Sequence, residues 1–156
     1  MDTSVIISLA DPSDVFHDQS VIFVDTLAKH RVECNTSSPL VVELGKLVEA
    51  KGTKRCLDVI HSMEESGIYL KNTDIKQVWK ISQAYLEEGV LTKRHRLDLL
   101  HYAATSLLVC THLASWNSKQ FNYKVAMKVS KVNAKQGLSN LIACKPDYIM
   151  RQENLG

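Results

Sequence analysis

Residues 96–116, RLDLLHYAATSLLVCTHLASW, constrain this chain more than any other stretch. At 3.6 residues per turn, Leu97, Leu99, Leu100, Tyr102, Ala103, Ala104, Leu107, Leu108, Val109, Cys110, Leu113, Ala114 and Trp116 leave no continuous polar stripe. A helix through them is apolar nearly all round and has to be buried. Its length would be roughly 30 Å at about 1.5 Å per residue, enough to cross a bilayer or a small domain. Asp98, His101 and His112 make burial in lipid costly, and no second apolar span accompanies this one. The expectation is therefore a central core helix wrapped by amphipathic neighbours, with no membrane partner.

The neighbours are legible from caps and periodicity. Asp11-Pro12-Ser13-Asp14 reads as a turn, and Val15, Phe16, Ile22, Phe23, Leu27 and Ala28 share one helical face up to about His30. Ser38-Pro39 opens a second helix that Gly52 stops, and Thr53 opens a third with Gly67 beyond its end. Thr73-Asp74 opens a fourth that Gly89 closes, while Lys119–Gln136 reads as a helix stopped by Gly137. A short final helix ends at Pro146, and the chain is expected to be mobile after Tyr148. Ser4–Ala10 is too short to classify. With 156 residues and only nine Gly and Pro, these elements make one all-α, compact multihelical domain of six or seven helices. It is expected to span 1–150, with 151–156 as a tail.

Cys34, Cys56, Cys110 and Cys144 are far apart, form no C-x-x-C pair and match no zinc spacing. They read as free thiols, and the start of the chain lacks the basic region of a secretory leader. A reducing, intracellular compartment, cytoplasm or nucleus, is the expectation.

Residues 39–74, PLVVELGKLVEAKGTKRCLDVIHSMEESGIYLKNTD, resemble one helical hairpin of the pentatricopeptide repeat family: an apolar first helix, a glycine near the turn, Cys56-Leu57, then Met63 and Gly67-Ile68. The following IKQVWKISQAYLEEG resembles the first helix of a second unit, carrying the likeness to residue 89. The pattern departs at Cys56, where a small residue is usual, and at Leu70-Lys71, where a proline is. The resemblance implies antiparallel helix pairs and points toward RNA; no base-reading residue is carried over from it.

Charge supplies the functional lead. Residues 1–90 hold nine Lys or Arg against fourteen Asp or Glu, and residues 91–156 hold ten against three. The sharpest pattern lies in the Lys119–Gln136 helix. Val125, Val129 and Val132 form one stripe, and Lys124, Lys128, Lys131 and Lys135 form a second about 100° away. Like charges at i, i+4 cost some tenths of a kcal/mol per pair, which an anionic partner offsets. A lysine row spaced by helical turns suits a phosphate backbone, which it can follow without reading bases. Lys119 and the Lys93-Arg94-His95-Arg96 cluster extend the basic set, and Phe121 and Tyr123 are candidates to stack on unpaired bases. The expected partner is RNA or another polyanion. The alternative is a protein-interaction module whose basic half docks an acidic surface, such as Glu64, Glu65, Glu87 and Glu88 of a second copy.

No local constellation points to catalysis. Cys110 and His112 face different ways on a helix, His101 and His112 read as satisfied core imidazoles, and no phosphate-binding glycine loop occurs. The expectation is a non-enzymatic protein with no cofactor and no metal.

Overall fold

The computed structural model describes residues 1–155. The fold is mostly helical. Among the described residues eight α-helices, rather than the expected six or seven, run in the order α1 (Thr3–Leu9), α2 (His17–Lys29), α3 (Pro39–Lys51), α4 (Thr53–Glu65), α5 (Ile75–Glu87), α6 (Arg96–Leu107), α7 (Tyr123–Gln136) and α8 (Pro146–Gln152). The expected caps set several of these bounds. Asp74 accepts from the Lys76 N–H at the start of α5, and Asn122 accepts from the Val125 N–H at the start of α7. Gly137, at φ +68°, ends α7 in the left-handed conformation that only glycine adopts without strain. The run Ser4–Ala10, too short to classify from sequence, falls largely in α1, which spans Thr3–Leu9.

Four three-residue strands join the helices: β1 (Asn35–Ser37), β2 (Tyr69–Lys71), β3 (His112–Ala114) and β4 (Ile142–Cys144). They pair in parallel as two separate two-stranded sheets, with Asn35 opposite Tyr69 and His112 opposite Ile142. Parallel pairing needs a crossover. The α3–α4 hairpin, built from the pentatricopeptide-like residues, is the crossover from β1 to β2, and α7 is the crossover from β3 to β4.

Buried side chains form two clusters. Phe23, Leu40, Val59 and Trp116 belong to the first, and Tyr85, Leu99, Tyr102 and Val129 to the second. The predicted central helix is correctly buried, since Leu99 through Ser106 are nearly all inaccessible, but it does not run to Trp116. It stops at Leu107; Val109 takes φ +56°, and the chain re-enters as β3. A strand covered on both faces is as continuously apolar as a buried helix, so periodicity alone could not separate the two.

Two further bounds differ from expectation. The Lys119–Gln136 helix begins only at Tyr123, because Lys119–Asn122 form the turn that carries its cap. The short final helix expected to end at Pro146 instead begins there: Ile142–Cys144 form β4, and Pro146 takes the first helical turn, where its missing N–H costs nothing. From there α8 runs to Gln152, and the Leu155 N–H donates to the Met150 carbonyl at 2.9 Å, so the segment after Tyr148 is not loose. Among the described residues no helix is long and apolar enough to cross a membrane.

Candidate functional site

Three side chains distant in sequence meet at the start of α1. Asp2 caps that helix, Glu43 lies in the second turn of α3, and His101 lies in the second turn of α6. His101 Nε2 is 2.9 Å from Glu43 Oε2 and 3.5 Å from Asp2 Oδ1, and one ligand atom from each residue lies within 4.8 Å of the others. Asp2 and His101 are buried, and the Glu43 side chain keeps a quarter of its surface exposed, so solvent reaches one edge of the cluster.

The surroundings hold these groups in place. Asp2 Oδ2 accepts from the Ser115 hydroxyl at 2.6 Å and the Ser4 hydroxyl at 2.7 Å, which leaves Oδ1 turned toward His101. Ser4 Oγ accepts from the Trp116 N–H at 3.0 Å, tying α1 to the chain leaving β3. Thr3 donates to Glu43. Asp98 sits one turn before His101 on α6 and bonds His95 Nδ1 at 3.1 Å. Burial pushes the Asp98 carboxyl above its ordinary range; the His95 hydrogen bond opposes the rise and the nearby Asp2 charge adds to it.

The location follows from the chain path. Glu43 is on the helix that leaves β1, Ser115 directly follows β3, and the Asp2 N–H donates to Ala114 O at 2.9 Å. The cluster therefore lies at the carboxyl ends of parallel strands, where open α/β arrangements place their ligands. Among the described residues no lysine or arginine pairs with Asp2 or Glu43. Asp2 and Glu43 thus share the His101 imidazole, while the nearby Asp98 pairs with His95 and the Met1 amino group adds its charge near Asp2. Oxygen-rich sets with a single imidazole suit Mg²⁺ or Mn²⁺, and His101 would bind such an ion only as the neutral ring.

The basic residues divide into free and occupied ones. Lys124, Lys128, Lys131 and Lys135 are exposed along α7, while Val129 and Val132 are buried and Val125 is half-buried, which is the two-stripe arrangement. Lys135 Nζ is 2.5 Å from a Glu88 oxygen of the same chain, so that carboxylate is already engaged. Lys128 Nζ reaches the Gly89 carbonyl at 3.4 Å. Lys93, Arg94 and Lys119 are exposed. Arg96 is not a free cation: its guanidinium lies 4.3 Å from the centre of the Trp79 ring and donates to Gln83 at 3.2 Å.

Phe121 is a core residue rather than a stacking platform, packed against Tyr102 with ring centres 5.1 Å apart and edge-on to His101 at 6.3 Å. Tyr123 is exposed. Phe121 thereby anchors the Lys119–Lys124 end of the basic helix one ring away from the acidic cluster.

Sequence reasoning named neither Asp2 nor Glu43 and set His101 aside as a core histidine. Local spacing carries no signal for a set spread over residues 2, 43 and 101; only the T-S that follows Asp2, polar residues in an otherwise apolar opening, marks the position. No family profile, no curated protein and no solved structure matches this chain.

Proposed function

We propose that this chain is a divalent-cation-dependent hydrolase of RNA phosphodiesters, with Asp2, Glu43 and His101 as the cation site and the α7 lysines as the backbone-binding surface. The observation that carries the reading is a mostly buried cluster: two carboxylates within ligand distance of one imidazole, with no lysine or arginine in contact. Burying like charges together is costly unless a cation neutralises them. The non-enzymatic expectation drawn from sequence gives way here to a reading based on a constellation that local spacing does not show.

The parts divide the work. A divalent ion held by Asp2, Glu43 and His101 would supply Lewis acidity and make water more acidic there. Asp2 presents Oδ1 in a fixed direction because Ser4 and Ser115 hold its other oxygen. Glu43, positioned by Thr3, would hold the cation at the edge that solvent reaches. Lys124, Lys128 and Lys131 contribute sequence-independent attraction to the strand being cut.

The test combines binding and turnover. Mn²⁺ or Mg²⁺ is titrated into the purified protein by calorimetry, and a 5′-labelled RNA hairpin with single-stranded flanks is incubated with and without EDTA. Cation binding together with EDTA-sensitive cleavage, both lost in folded Asp2→Asn and Glu43→Gln variants, is the expected result. Absence of cation binding at millimolar concentration would refute the metal site and identify the cluster as a self-satisfied ion triad. Cation binding without cleavage, alongside salt-dependent RNA binding, would leave the basic surface in place and overturn the hydrolase.

A further inference from the structure

The two small sheets turn unpaired edges toward one another. In a parallel ladder a residue directs both its N–H and its C=O to one neighbouring strand, and the next residue directs both to the other side. Thr111 accepts from Ile142 at 2.9 Å and Ser115 donates to Cys144 at 3.1 Å, so Thr111, Leu113 and Ser115 face β4. His112 and Ala114 then face away from it. In the other sheet Cys34 accepts from the Tyr69 N–H at 3.0 Å, so Cys34 and Thr36 face β2, and Asn35 and Ser37 face away.

Between these edges lies a cavity of about 500 Å³, bounded by Asn35 on one side and His112 on the other and lined by Leu27, Leu108 and Ile149. Met1 lines its far end, and Asp2 follows just beyond. The Met1 amino group donates to Asn35 O, and the Asp2 N–H donates to Ala114 O at 2.9 Å. Residues 1 and 2 therefore bond β1 on one side and β3 on the other, as the last residues of a strand between them would.

We propose that this slot receives an extended apolar segment joined to the amino side of Met1, forming the central strand of a five-stranded parallel sheet in the order β2-β1-segment-β3-β4. The register follows from the bonds already present. Met1 donating to Asn35 and Asp2 donating to Ala114 is the alternation of a strand paired in parallel on both sides, and continuing it backward brings the amides of Asn35 and Ala114 onto carbonyls of the added segment. The cavity reaches back from Asn35 to Val32, a span of four residues or about 13 Å, which sets the segment at four or five residues. Its chemistry is that of a strand covered by helices, a near-continuous Val/Ile run rather than an alternating one. This assignment rests on the sheet edges and the cavity, and it stands whether or not the acidic cluster binds a cation.

The experiment fuses Lys-Val-Ile-Val-Val directly to Met1 and compares the product with the unfused chain and with a fusion of Lys-Ser-Asp-Ser-Asp. Thermal midpoints and amide hydrogen exchange are measured without metal. The apolar fusion is expected to raise the midpoint and to slow exchange at least tenfold at Asn35, His112 and Ala114, with the polar fusion producing neither effect. Equal midpoints and unchanged protection in the two fusions would overturn the proposal. Stabilisation by the same apolar peptide added free in solution, but not by its fusion, would overturn the continuous strand and point to a separate polypeptide as the occupant.

Discussion

Single side chains carry much of the specificity of this fold. Asn133 is fully buried on α7: its Oδ1 accepts from the Tyr85 hydroxyl at 2.5 Å, and its Nδ2 donates to Ser106 Oγ at 2.9 Å and Ser139 O at 2.7 Å. This residue joins α5, α6 and the approach to β4. Replacing Asn133 with Ala removes the shorter of the two Tyr85 hydroxyl bonds, leaving Ser106 Oγ at 3.1 Å, and removes the bonds to Ser106 and the Ser139 carbonyl, and urea unfolding is expected to show a loss of about 2–4 kcal/mol. Cys144 illustrates burial acting on charge. Its thiol is pushed up from 9.0 to about 11 by desolvation, with the Asp147 charge adding to the rise. Only the thiolate reacts, so iodoacetamide should label Cys144 at pH 8 roughly a hundredfold more slowly than an ordinary cysteine, and at the ordinary rate after unfolding. Linkage has a definite sign here. The folded state resists ionisation, so stability from this group is intact below pH 9 and declines as pH rises toward 11.

At the scale of elements, the passage from α6 to β3 is the most constrained. Val109 has φ +56°, an outlier for a β-branched residue, and its side chain is mostly exposed. A left-handed conformation costs about 1–2 kcal/mol for an L-residue, and glycine relieves it at an entropic cost of about 0.5–1 kcal/mol. Val109→Gly is therefore expected to stabilise the chain by about 0.5–1 kcal/mol, read as a higher urea midpoint at unchanged slope. The basic face of α7 gives a second expectation. Exchanging Lys128 and Lys131 for Glu, both exposed and neither in the acidic cluster, should reduce RNA affinity and flatten its dependence on salt while leaving cation binding unchanged. Salt titration of RNA binding by fluorescence anisotropy measures this, and an unaltered slope would remove α7 from the RNA surface.

For the whole molecule, metal and stability are coupled. A cation that binds only the assembled cluster stabilises the fold by about 2.7 kcal/mol at a hundredfold excess over its Kd, which for a chain of this size raises the thermal midpoint by roughly 5–10 °C. EDTA should reverse the shift. Asp2→Asn should abolish it while preserving α1, because asparagine caps a helix as well as aspartate does.

The predominance of helix, most helix bounds and the two stripes of α7 were determined by the sequence alone. Caps such as Asp74, stops such as Gly89 and Gly137, and 3.6-residue periodicity are short-range signals within a single element. What only the tertiary structure decided are features whose partners lie far along the chain. A three-residue strand has no stability of its own, and β1 and β3 form because β2 and β4 arrive about thirty residues later. The same reason splits the 96–116 run into a helix and a strand, since either element satisfies its continuous burial until a parallel neighbour supplies hydrogen bonds. It also accounts for the acidic cluster, where Asp2, Glu43 and His101 become neighbours only when α1, α3 and α6 converge at the carboxyl ends of the strands.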